Sequence, residues 1–196
     1  NDESRIKEND VVTIDLGVHI DGYIADTAYT VDLSGKYDKM LSANEEALEV
    51  IMEAIKNSGY KPKKDILIAL DPASTEFYDP KTKKYNLAAE KKKLTSTQMI
   101  DFYENLCKKY PIISIEDGLA EDDWEGFKEM TARMGDRIQI VGDDLFTTDP
   151  VRVQKGVDVG AANTVLLKVN QIGTISEAFD MVQLAYRNGY GVMPCS

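Results

Sequence analysis

From residue 61 onward, short apolar runs alternate with helical stretches: the runs fall at 66–70, 112–115, 138–141, 164–167 and 191–193, and the helical patterns at 98–109, 124–134, 151–155 and 175–187. A run of four or five apolar residues does not suit a half-exposed antiparallel strand, which alternates apolar and polar side chains. It suits a strand covered on both faces, in a parallel sheet built from βαβ units. The last helix is the most sharply marked, with a capping box from Thr174 to Glu177, apolar residues at Ile175, Ala178, Phe179, Val182, Ala185 and Tyr186, and Gly189 as its stop.

The first forty residues have a different character. Two β-rich stretches, 11–16 and 23–31, flank the turn signal Asp21-Gly22 and read as a hairpin. Past Ser34-Gly35, Ser42 and Glu45 make a capping box ahead of Ala47, Leu48, Ile51 and Ile55, an amphipathic helical spacing. The segment 76–87 reads as a small polar hairpin, with Asp79-Pro80 supplying the turn.

Four of the five apolar runs end in an ionisable residue: Asp71 after Ala69-Leu70, Glu116 after Ser114-Ile115, Asp143 after Val141-Gly142, and Lys168 after Leu166-Leu167. Parallel α/β folds bind ligands at the carboxyl ends of their strands, so these side chains converge on one mouth. One carboxylate at a strand end is more often a helix cap; four ionisable groups in register change those odds. Carboxylates brought together repel unless a cation sits among them, and an oxygen-only set with room for water suits Mg2+. Lys168, flanked by Leu167 and Val169, is expected to be partly desolvated, which lowers its pKa and frees an amine to act as a base. Removing a proton next to a carboxylate leaves an enolate that a divalent ion can hold. Asp117, Asp144, Asp122, Asp123 and Glu125 read as orienting or capping groups beside this set.

Composition narrows the partners. The 34 acidic residues against 23 basic ones give a net charge of -11, which argues against nucleic acid and anionic membranes. No apolar run reaches the roughly 18 residues of a membrane span, and Asn1-Asp2-Glu3-Ser4 lacks the layout of a signal peptide. Cys107 and Cys195 show no metal or redox spacing. A cytoplasmic protein with reduced thiols is expected.

The residues around the strand ends also carry a resemblance. The stretches 69–78, 114–124 (Ser-Ile-Glu-Asp-Gly-Leu-Ala-Glu-Asp-Asp-Trp), 142–145 (Gly-Asp-Asp-Leu) and 166–174 (Leu-Leu-Lys-Val-Asn-Gln-Ile-Gly-Thr) resemble enolase (phosphopyruvate hydratase) over about residues 42–196. The resemblance implies a partial (β/α) barrel of about five parallel strands. It implies Asp71, Glu116 and Asp143 as Mg2+ ligands, and Lys168 as the base acting on 2-phosphoglycerate to give phosphoenolpyruvate. A lysine base working with Mg2+ on an enediolate is the known pattern of that superfamily. Three departures stand out. Ser34-Gly35-Lys36 stands where the family carries its general-acid glutamate, Pro194-Cys195-Ser196 stands where it carries Ser-His-Arg-Ser, and the lid and remaining strands fall outside the sequence. Impaired or absent activity of this chain alone is therefore expected. Five strands cannot close a barrel that takes eight, so self-association through open sheet edges is also expected.

Residues 1–41 instead resemble the opening of a type 2 methionine aminopeptidase, on Ile14-Asp15-Leu16-Gly17-Val18-His19-Ile20-Asp21-Gly22-Tyr23-Ile24-Ala25-Asp26-Thr27-Ala28. That resemblance implies Asp15 and Asp26 as weaker metal-ligand candidates, while the family's histidine and glutamate ligands have no counterpart here. Three functions stay open on the sequence: an enolase-like lyase, a metallo-aminopeptidase, and a non-catalytic chimeric or engineered metal-binding scaffold.

Overall fold

The computed structural model describes residues 11–20, 23–32, 44–87 and 91–195, with side chains from residue 47 onward. These fall into two compact units, one taken from the residues up to Leu67, the other from Ile68–Leu87 and from Lys93 onward.

In the first unit, β1 (Val11–Ile20) pairs antiparallel with β2 (Tyr23–Asp32), Val11 facing Asp32 and Ile20 facing Tyr23. The hairpin is therefore present, with longer strands than the β-rich stretches alone suggest. Its turn residues 21–22, the expected cap at Ser42 and the side chains of Asp15 and Asp26 lie outside the described residues. Helix α1 (Asn44–Asn57) buries Leu48 and Ile55, two of the four positions its spacing marks.

The second unit runs β3 (Ile68–Leu70), a 3-10 turn (Ser74–Phe77), β4 (Tyr78–Asp79), β5 (Lys84–Leu87), β6 (Lys92–Leu94), α2 (Ser96–Lys109) and β7 (Ile112–Glu116). It continues through α3 (Trp124–Met134), β8 (Gln139–Gly142), α4 (Pro150–Val159), β9 (Thr164–Leu167), a single turn α5 (Val169–Ile172), α6 (Ile175–Arg187) and β10 (Gly191–Pro194). Five strands form one parallel sheet in the order β10-β9-β8-β7-β3. This order follows the chain without reversal, and crossovers between parallel strands are right-handed, so the connecting helices share one side of the sheet. That progression is an arc of a (β/α) barrel rather than a doubly wound sheet.

Apolar strand residues and the inner stripes of the helices make the core: Ile115, Phe127, Met130, Ile140, Val141, Phe146, Val165 and Met181 are fully buried. Each side chain of this size stabilises the fold by about 1.5–3 kcal/mol. Two glycines exist for one ring. A Cβ on Gly142 would lie 2.6 Å from Phe146 Cδ2, and one on Gly156 2.5 Å from Phe146 Cε1. Gly156 inside α4 is why the helical pattern reads as ending at 155, whereas α4 runs from Asp149 as cap, through Pro150 in its first turn, to the left-handed Gly160.

At the amino ends of the strands, Asn163 ties the sheet to the α3–β8 turn. Its Nδ2 donates to the carbonyls of Gly135 (2.9 Å) and Ile138 (3.0 Å), and its Oδ1 accepts Ile140 N–H at 2.8 Å. Elsewhere, too, the structure departs from the expected pattern. Ile66 bridges to Pro62 rather than entering β3. Helix α2 starts two residues early because Thr95 and Gln98 form its capping box. At α6, Glu177 N–H donates to Thr174 Oγ1 at 3.2 Å, but the Glu177 carboxylate takes the Thr174 hydroxyl, so the expected reciprocal box is only half formed. The 76–87 hairpin is present as β4–β5, with Asp79 accepting Lys81 N–H (2.9 Å) and the Thr82 hydroxyl (2.8 Å) across the turn.

Candidate metal centre

Asp71 follows β3, Glu116 is the last residue of β7, Asp143 follows β8 and Lys168 follows β9. The four strands are neighbours in that order, so the four groups stand along one rim of the sheet, at its carboxyl edge. The sequence places them there because a short buried strand must end where its apolar run ends, and the next residue is free to be polar.

The rim is electrostatically crowded. Burial, then the charges of Asp71, Asp143 and Asp117, push the Glu116 carboxyl up to about 8 despite the opposing pull of Lys168. Asp71 keeps contact with solvent, yet partial burial of its carboxyl raises its pKa. A hydrogen bond from Ala73 N–H at 3.1 Å opposes the rise, and Asp143 and Asp144 add to it. Asp143 is 8% exposed. One of its oxygens, Oδ2, pairs with Lys168 Nζ; the other, Oδ1, is buried and has no hydrogen-bond partner. A buried carboxylate oxygen left unpaired is costly, and a cation at that oxygen removes the cost.

One correction follows. Lys168 has a raised pKa, held up first by the hydrogen bond to Asp143 against its own partial burial, rather than the lowered one its neighbours suggest. Val169 is 42% exposed and does little to desolvate it. Among the described residues, one carboxylate oxygen each of Asp117, Asp143 and Asp144 lie within 4.8 Å of one another. Asp117 is not spare, however. Its two oxygens accept the backbone N–H groups of Asp143 (3.1 Å) and Asp144 (2.8 Å), the capping role its position suggests, and burial pushes its carboxyl up to about 7 against those bonds.

Several supports have no local sequence signal. Buried Tyr85 accepts Ala120 N–H at 2.9 Å and donates to Asp123 Oδ2 at 2.7 Å, and Thr75 Oγ1 accepts Glu121 N–H at 3.1 Å. The β4–β5 insert therefore clamps the loop that follows Glu116. Asp123 also caps α3 through Gly126 N–H at 3.1 Å. Thr148, buried and left-handed at φ 57°, accepts Lys168 N–H at 2.9 Å. Arg152 donates to the carbonyls of Leu145 (2.7 Å) and Glu121 (3.0 Å), joining the loops after β7 and β8.

A parallel (β/α) sheet with carboxylates and an ammonium at the carboxyl ends of adjacent strands defines a barrel-type α/β protein with an acidic mouth. The family of the enolase C-terminal TIM barrel domain matches residues 15–196, and the chain belongs to that family. The match starts inside β1, well before residue 42, and lends no support to an aminopeptidase origin for the hairpin. In the backbone register Asp15 faces Ala28 and Asp26 faces Gly17; their side chains lie outside the described residues. Among the described residues no helix is long and apolar enough to cross a membrane.

Proposed function

We propose that the rim is a Mg2+ site of the enolase type, with Asp71, Glu116 and Asp143 as ligands and Lys168 as the base that takes the C2 proton of 2-phosphoglycerate. The observation that carries this reading is Asp143: one oxygen engages Lys168, the other is buried and unpaired, and raised carboxyls crowd beside it. The donor set is all oxygen, which suits a hard divalent cation. When bound, the ion would stabilise the negative charge that develops on the substrate carboxylate.

Asp143 sets the protonation of Lys168. A lysine paired with an uncommitted carboxylate stays an ammonium, and sharing that carboxylate with a cation weakens the pairing and favours the neutral amine a base needs. Asp117, Tyr85 and Thr148 hold the backbone from which these side chains project, so that little reorganisation accompanies the transfer. Expelling the C3 hydroxyl takes a proton donor as well, and Ser34-Gly35-Lys36 stands where the family resemblance places one. The reading is therefore proton abstraction at C2, with slow or absent conversion to phosphoenolpyruvate.

The test is exchange at C2. 2-Phosphoglycerate deuterated at that carbon, held with the protein and Mg2+ in water, loses deuterium by NMR with the wild type and keeps it with Lys168→Ala. Retention of deuterium by the wild type at saturating Mg2+ rejects the proposal. A coupled assay for phosphoenolpyruvate in parallel reads the dehydration step.

A further inference from the structure

Asp117 stands at the junction of three strand ends. It is 4% exposed and its backbone is left-handed, φ 40°, a conformation that a non-glycine residue keeps only where its surroundings enforce it. Every polar group of the residue is used. Its N–H donates to the Val141 carbonyl at 3.0 Å, its carbonyl accepts Ser74 N–H at 3.1 Å, and its carboxylate takes Asp143 N–H and Asp144 N–H. Ser74 belongs to the same turn as Ala73, whose N–H binds the Asp71 carboxylate. One residue thus touches the turn after β3, the end of β7 and the turn after β8.

We propose that Asp117 is a positioning residue for the cation site: it fixes Asp143, Glu116 and the Asp71 turn relative to one another and is not itself a ligand. This rests on the metal reading above. Asp117 belongs to a close carboxylate set with Asp143 and Asp144, but its oxygens are aimed at backbone donors, whereas Asp143 Oδ1 is buried and unpaired. A group that orients a ligand through hydrogen bonds acts on affinity and geometry together. In Asp117→Asn, one oxygen becomes an NH2 facing a backbone N–H, so one of the two bonds is lost. Asp144→Asn removes the same charge from the same cluster and leaves both bonds in place.

The experiment is Mg2+ calorimetry and Mn2+ electron paramagnetic resonance on the full chain. Asp117→Asn is expected to bind about 10- to 100-fold more weakly, with an altered Mn2+ spectrum, and Asp144→Asn, which loses the same charge but keeps both bonds, to weaken binding less than Asp117→Asn does. Equal weakening by the two variants makes the effect one of charge alone and overturns the inference, as does wild-type binding by Asp117→Asn. In both cases the metal reading stands, because the wild type still binds. A wild type that binds neither ion overturns both. Should Asp117→Asn fail to fold, amide hydrogen exchange on the wild type decides: protection of the Asp143 and Asp144 amides by on the order of 100-fold supports the bonds, and exchange at the rate of free amides overturns them.

Discussion

Raising the pH should tighten Mg2+ binding steeply. Glu116, pushed up to about 8 by burial and by Asp71, Asp143 and Asp117, carries a proton at neutral pH that a metal must displace. At pH 7 about one molecule in ten has the carboxylate ionised, and at pH 6 about one in a hundred, so the apparent affinity rises about tenfold per unit and levels off above 8. Between pH 6 and pH 9 the gain reaches about 90-fold at most, because solvent at the half-exposed rim screens part of the repulsion. Asp71, also raised, moves in the same direction. The protons come off the cluster as a group, so the measured midpoint belongs to the rim rather than to one residue. Calorimetric titration at four pH values, in two buffers of different protonation enthalpy, gives both affinity and protons released; about one proton per ion is expected at pH 7. An affinity that does not change from pH 6 to pH 9, with no proton release, refutes the reasoning.

The same carboxyl links stability to pH in the metal-free protein. Its folded pKa lies above the unfolded value, so the stability it contributes is present below about 4.5 and is lost as the pH rises through about 8. Thermal unfolding in a chelator should therefore show a midpoint that falls from pH 5 to pH 8.5, and Mg2+ should restore it; a flat profile contradicts the assignment. Tyr85→Phe leaves the buried Ala120 N–H without its acceptor and removes one of the donors to Asp123, at a cost of about 1–3 kcal/mol in urea unfolding. A loss below about 0.5 kcal/mol means the clamp does not hold the loop. Gly142→Ala forces a methyl against Phe146 and should cost about 1–3 kcal/mol in the same assay; unchanged stability means the ring has room to move.

The strands, the helices and the rim were legible in the sequence because each depends on local pattern. An apolar run sets a parallel strand, its end sets where an ionisable residue emerges, and strand succession lines up Asp71, Glu116, Asp143 and Lys168. What stayed hidden is long-range. Lys168 is governed by Asp143, 25 residues away, and not by Leu167 and Val169, so its pKa moves opposite to the direction its neighbours imply. Tyr85 reads as an ordinary strand aromatic until its hydroxyl meets Ala120 and Asp123, 35 and 38 residues on. Helix α4 read short because Gly156 looks like a breaker until Phe146 is seen against it.

The central claim is that Asp143 anchors a cation at this rim. Calorimetric Mg2+ titration of the wild type and Asp143→Ala, each shown to be folded by circular dichroism, tests it most directly. One saturable site is expected in the wild type and none in the variant. Equal binding by both proteins, or none by the wild type, contradicts it.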